Sequence, residues 1–296
     1  MTDRINLDNG VLSATIAAHG AELVSLAADW SGELIWSGDP AVWPWHAPNL
    51  FPIVGALADD TLIHRGQAYP MKQHGILRIS DCEIVAADAA ECALRLVDTP
   101  ETRQHYPFAF ALTIRFRLDG DRLEQSFELA NPGSEPLPAS LGAHPAFRWP
   151  LDPGVARGDY QIRFDQDEPE PIRRLDGRAL GGDRPTPVAA RVLALADALF
   201  TEDALIFDRL RGRRVIFGSA EGAGIELAFA DFPQFGLWSK PGAGFLCLEP
   251  WQGYASPVGF TGDFAEKPGI VTLDPGAVRR WRLSIRPIRN STEEFR

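Results

Sequence analysis

The chain is 296 residues long, 45% hydrophobic and 23% charged, and 29 lysines and arginines stand against 40 aspartates and glutamates, a formal net charge of −11. Such a composition supports a folded core, and its acidic balance argues against a nucleic-acid binder, which needs a basic face to displace counterions from phosphates. No run approaches the roughly 18 apolar residues of a membrane span, and Met1-Thr-Asp-Arg4 lacks the basic-then-apolar order of a signal peptide, so the expectation is a cytoplasmic protein with no membrane partner.

The 27 glycines and 24 prolines break long helices and suit short strands joined by turns. In chain order, strand-like segments fall at 11–17, 23–27, 83–87 and 93–97. Leu112, Ile114, Phe116 and Leu118 then alternate with Thr113, Arg115 and Arg117, as one buried face requires. Asp119-Gly120-Asp121 turns the chain, and Leu123, Phe127 and Leu129 lie opposite Glu124, Ser126 and Glu128, which predicts an antiparallel hairpin. The stretch 169–187, rich in Arg, Gly and Pro, reads as a long loop. Helical spacing is confined to a turn or two at 194–200. Further strands are expected at 215–218, 225–229 and 245–249, and Trp281, Leu283 and Ile285 alternate with Arg280, Arg282, Ser284 and Arg286.

Strand after strand without intervening helices predicts an all-β chain, a large antiparallel β-sandwich. With no repeat or linker, residues 1–296 read as one domain. Cys82, Cys92 and Cys247 form no Cys-x-x-Cys pair and lie in apolar segments, so they read as core residues rather than a disulfide or zinc framework.

Several chemical signals fall away at once. Gly218-Ser-Ala-Glu-Gly222-Ala-Gly224 follows a strand but precedes another strand, so it lacks the helix N-terminus of a phosphate loop and reads as a hairpin turn. Arg209-Leu-Arg211-Gly-Arg213-Arg214, on an acidic chain, reads as a solvated turn. No local metal-ligand motif and no Gly-x-Ser-x-Gly elbow occurs; no metal is expected.

Three segments remain. Pro48-Asn49-Leu-Phe51-Pro52-Ile-Val-Gly55 leads to Gln73-His74-Gly75-Ile-Leu-Arg78; the others are Leu141-Gly142-Ala143-His144-Pro145-Ala-Phe147 and Phe245-Leu-Cys-Leu248-Glu249-Pro250-Trp251-Gln252-Gly253. His144 and Glu249 each precede a proline, which holds the preceding residue extended and removes the next ladder donor; both are expected at strand ends. Glu249 closes an apolar run, where a carboxylate is costly unless partnered. A histidine donates a proton near neutrality and a desolvated glutamate accepts one, so together they can divide acid and base work. Trp251 and Trp238 offer flat apolar faces for the C–H side of a sugar ring, and His74, Arg78 and Asn49 offer groups for its hydroxyls.

These motifs, Pro-x-Leu-Phe-Pro-x-x-Gly, His-Gly-x-x-Arg, Gly-x-His-Pro-x-Phe and x-Glu-Pro-Trp-x-Gly in that order, resemble the aldose 1-epimerase (galactose mutarotase-like) family, most of all its branch of bacterial LacX-like proteins. The resemblance spans nearly the whole chain, to Arg286. It implies a galactose mutarotase-like sandwich and cofactor-free interconversion of the α and β anomers of an aldose. It also implies that His144 protonates the ring oxygen, Glu249 removes the proton of the anomeric hydroxyl, His74 and Arg78 bind substrate near the anomeric centre, and Asp203 matches a substrate-binding aspartate. The branch commonly has arginine where this sequence has Ala56, so one contact to a hydroxyl or phosphate is either missing or supplied by Arg78 or Arg65. The expected function is therefore hexose 1-epimerisation by a monomer or homodimer. Two alternatives stand beside it: a hexose-phosphate 1-epimerase, if Arg65, Arg78 or the 209–214 arginines line the pocket, and a non-catalytic carbohydrate-binding sandwich.

Overall fold

The computed structural model describes residues 3–220 and 222–289. Two large sheets with antiparallel strand pairing form its body. The nine-stranded sheet runs Val192–Ala194, Tyr160–Phe164, Arg214–Ser219, Gly224–Ala228, Val278–Ile288, Arg122–Ala130, Ala111–Asp119, Glu91–Val97 and Glu83–Ala87 from edge to edge. The eight-stranded sheet runs Ala179–Arg184, Ile172–Asp176, Leu205–Phe207, Gln234–Trp238, Phe245–Gln252, Leu141–Ala143 and Asn49–Leu50, and Ala146–Arg148 pairs separately with Phe245–Gln252. The expected hairpin is present, and its register sets Phe127 directly opposite Ile114 on one side and Trp281 on the other.

Alternation explains how the sheets stack. Ile114, Phe116, Phe127, Leu129, Trp281 and Leu283 from the first sheet share one core with Phe235, Leu237, Leu246 and Leu248 from the second, as inward faces of a sandwich do. Phe164 and Phe207 meet across the layers with ring centroids 5.4 Å apart. All three cysteines are buried and unbridged. Among the described residues helical structure is confined to short 3-10 turns, including Asp197–Phe200 within the stretch of helical spacing. Among the described residues no helix is long and apolar enough to cross a membrane.

One expectation is corrected. Residues 169–187 are not a long loop: Ile172–Asp176 and Ala179–Arg184 form a hairpin at the edge of the eight-stranded sheet. The two-residue connection Gly177-Arg178 has Gly177 at φ +61, the left-handed conformation that a tight hairpin needs at its first central position. Arginines and glycines that look like loop residues are tolerated there because an edge strand is half solvated. The glycine-rich segment behaves as expected, since Arg214–Ser219 and Gly224–Ala228 pair as an antiparallel hairpin. The arginine cluster is dispersed into local partnerships: Arg209 with Asp183 at 2.7 Å, Arg214 with Glu226 at 2.9 Å, and Arg211 with Glu170.

Candidate active site

Strand Phe245–Gln252 is buried along its whole length because both of its faces are covered. Leu246 and Leu248 enter the core between the sheets. Phe245 and Cys247 pack on the other face with Trp36, Trp43 and Trp238, and the two-residue period carries Glu249 and Trp251 to that face as well. Glu249 thus lies within the strand rather than at its end, with Pro250 paired opposite Phe235. Pro250 caps nothing; the strand continues past it to Gln252.

His144 does occupy a break. Leu141–Ala143 and Ala146–Arg148 pair with the same strand, and His144-Pro145 separates them. Leu248 N–H still donates to Pro145 O at 3.0 Å, so the break stays in register. It turns His144 toward the pocket, where Nε2 lies 3.0 Å from Glu249 Oε2. Both side chains are almost wholly buried; His144 Nδ1 has no hydrogen-bond partner, and the approach at Glu249 Oε2 is close without being well aligned. Burial pulls the His144 imidazole from its ordinary 6.5 down to about 3. The Glu249 carboxyl is pushed well above the ordinary carboxylate range, first by burial and then by the charge of Asp203. Burial therefore favours a neutral imidazole facing a protonated carboxyl.

The first two motifs interlock. Phe51 O accepts from Ile76 N–H at 2.8 Å and Leu77 N–H at 3.2 Å, and His74 N–H donates to Gly55 O at 2.8 Å. Gly75 sits at φ +74, and a Cβ there would come within 2.3 Å of Phe51 O, so only glycine allows this approach. Gly55 N–H donates to His74 Nδ1 at 3.2 Å. That hydrogen bond leaves His74 Nε2 to carry the proton of the neutral ring, and burial, with the nearby His144 and Arg78, keeps the ring neutral by lowering its pKa well below 6.5. Arg78 is held by donation to Gln73 O at 2.9 Å and by the Trp45 ring 5.0 Å beneath its guanidinium.

These groups line one cavity of about 240 Å³, together with Trp43, Trp238, Trp251 and Asp203. This is slightly below the roughly 300–1,000 Å³ of sites for drug-sized ligands and suits a small polar molecule. Trp251 lies across the backbone of two flanking strands: a Cβ on Gly236 would come within 2.5 Å of its Cη2, and one on Gly142 within 2.7 Å of its Cδ1. The two glycines let the indole lie flat on the sheet. Trp43 stacks on His144 with centroids 5.2 Å apart at 27°, and Trp238 meets His144 edge-on at 6.0 Å.

Of the eight residues expected at the site, the cavity gathers His144, Glu249, His74, Arg78, Asp203, Trp238 and Trp251. Asn49 is the exception. Leu50 faces the pocket-side cluster with Trp251, so its neighbour Asn49 points the other way. There its amide donates to Ala21 O at 2.6 Å and its carbonyl accepts from Gln125 at 2.8 Å. Arg65 is also elsewhere, paired with Glu135 at 3.0 Å. Trp43 was missed. It stands in the segment Trp36 to Pro48, which carries three tryptophans and three prolines within thirteen residues and no strand pattern; that aromatic density was the available signal.

The family model described as aldose 1-epimerase matches residues 3–286. Protein LacX of Lactococcus lactis subsp. lactis, in its plasmid form, is 30% identical over 283 residues, covering 92% of this chain and 95% of that protein. Two solved structures superpose with a TM-score of 0.90. One is a galactose mutarotase related enzyme from Lactobacillus acidophilus, 30% identical, covering 96% of this chain and 97% of that one. The other is a galactose mutarotase-like protein from Lactobacillus casei ATCC 334, 28% identical, covering 96% and 100%.

Proposed function

This chain belongs to the aldose 1-epimerase family, and from that premise we propose that it interconverts the α and β anomers of an unphosphorylated hexose, with His144 and Glu249 as the acid–base pair. The observation that carries this reading is the buried approach of His144 Nε2 to Glu249 Oε2 at 3.0 Å at the floor of an indole-walled cavity. A module that only holds sugar has no use for two ionisable groups desolvated against each other, because each costs stability there.

The cycle needs one proton on the pair. With imidazolium and carboxylate, Glu249 takes the proton of the anomeric hydroxyl, the C1–O5 bond breaks with its electrons moving to O5, and His144 delivers a proton to O5. The open aldehyde rotates about C1–C2, and the transfers reverse. At the open-chain stage the pair is neutral imidazole and protonated carboxyl, the form that burial favours. The two forms hold the same number of protons and differ by one transfer across the 3.0 Å gap. Neutral His74, through Nε2–H, and Arg78 serve as donors to sugar oxygens, and Trp251 supplies the apolar platform.

The unphosphorylated substrate follows from the charges. Among the described residues Arg78 is the only arginine lining the cavity, which Asp203 and Glu249 also line, while Arg65 and Arg209, Arg211 and Arg214 are engaged elsewhere. With one proton on the His144–Glu249 pair that pair carries no net charge, so Arg78 is already balanced by Asp203 and a phosphate dianion would find no surplus of positive charge. Polarimetry on freshly dissolved α-D-glucose and α-D-galactose tests the function. The expected result is protein-dependent loss of optical rotation above the spontaneous rate, and an unchanged rate with both sugars at substrate-saturating concentrations would reject it.

The platform makes a separate prediction. In Gly236→Ala the new methyl is fixed to a strand and the Trp251 indole has to lift toward the sugar. Displacing a substrate-positioning group by about 1 Å costs up to roughly 10²-fold, so kcat/KM should fall by about 10- to 100-fold, chiefly through KM. Steady-state mutarotation kinetics check this, and a wild-type KM would show that the indole is not a substrate platform.

A further inference from the structure

Cys247 has no part in the proposed acid–base cycle, yet it lies two residues before Glu249 on the same face of the same strand. One ring nitrogen of His144, the Cys247 sulfur and one carboxylate oxygen of Glu249 lie within 4.8 Å of one another, all buried. His144 Nδ1 lacks a hydrogen-bond partner, and Glu249 Oε2 faces the His144 ring at 3.0 Å without a well-aligned hydrogen bond; buried polar atoms so poorly satisfied in a native structure call for an explanation. We propose that His144, Cys247 and Glu249 form a binding site for Zn²⁺ or a similar borderline-soft divalent ion, and that occupancy inhibits the protein by engaging both groups of the acid–base pair.

The donor set favours this class of ion. Nitrogen, sulfur and carboxylate oxygen are the ligands of zinc, at about 2.0–2.3 Å, whereas Mg²⁺ and Ca²⁺ prefer oxygen alone. Strand Phe245–Gln252 fixes Cys247 and Glu249, and the break between the two short strands paired with it fixes His144, so the three donor atoms already lie within 4.8 Å of one another. His144 and Glu249 also line the cavity, which gives the ion an entrance and leaves its fourth coordination position facing the space for sugar. Coordination releases the Cys247 thiol proton and the proton held by the His144–Glu249 pair, so affinity rises with pH. The inhibitory consequence rests on the acid–base reading; the binding of the ion does not.

Cobalt(II) is the probe, because a thiolate ligand gives it a near-ultraviolet charge-transfer absorption. Titration of the folded protein with Co²⁺ should produce this band at one equivalent, and Zn²⁺ should remove it. Loss of even an outer partner weakens metal sites by roughly 10- to 100-fold, so Cys247→Ala should abolish the band and weaken Zn²⁺ inhibition by at least about 10-fold while keeping mutarotation. Glu249→Gln should weaken Co²⁺ binding by a similar factor, which provides a second reading if Cys247→Ala folds poorly. Absence of the band in wild type, or its survival in Cys247→Ala, would overturn the proposal. A band in a protein that shows no mutarotation when metal-free would support the ion site and overturn the acid–base reading instead.

Discussion

Glu249→Gln is expected to lose about 10²- to 10⁴-fold in kcat, the contribution typical of one positioned acid–base group, while folding and binding sugar. The amide matches the carboxyl in size. It also matches the neutral charge that the burial of Glu249 favours, so the substitution leaves no new buried charge and the fold should hold. His144→Asn should lose activity to a similar degree, with some loss of packing as well, because it removes the ring against which Trp43 stacks. Since one proton passes between substrate and both groups, the double variant should be little worse than either single one, as for residues that act as a unit. Polarimetry measures turnover, and quenching of the pocket tryptophans by sugar measures binding. If Glu249→Gln turns over like wild type, the carboxylate is not the base.

Much of this site was legible in the sequence because its chemistry is tied to local backbone constraints. Proline after His144 and after Glu249 fixes both residues as extended, and alternation along an apolar strand puts Glu249 and Trp251 on one face. Which face covers the cavity was not legible, since it depends on Trp36, Trp43 and Trp238 arriving from distant segments. The same gap explains Asn49. A two-residue strand, Asn49–Leu50, carries too little pattern to orient itself, and it is the hydrogen bonds of the Asn49 amide with Ala21 and Gln125 that show it pointing away. The expectation that Glu249 ends its strand failed because Pro250 tolerates a ladder position within the sheet. In the edge hairpin, Ile172–Asp176 and Ala179–Arg184, arginines and glycines hid strands anchored by single buried residues, Ile172 in the core between the sheets and Leu180 in the pocket-side cluster with Trp251.

The pH profile gives the sharpest test of the pair. Activity requires the form holding one proton. Burial lowers the His144 pKa to about 3, so a second proton joins the pair only in strong acid; once it does, no base remains. Burial and Asp203 raise Glu249 well above its ordinary range, so the single proton leaves only at higher pH; once it does, no acid remains. The profile of kcat/KM should therefore be a bell with a broad top, each limb falling about tenfold per pH unit, and its apparent constants belong to the pair rather than to either residue. The acid limb should lie well below 6.5, the value of an exposed histidine. An acid limb centred at 6.5 would mean that a group outside the buried pair, or an opened pocket, controls the rate. A profile without limbs would mean that no proton on this pair is needed at all. Neither Glu249→Gln nor His144→Asn should reproduce the bell, because each leaves one titrating partner, and the surviving limb identifies which group provides it.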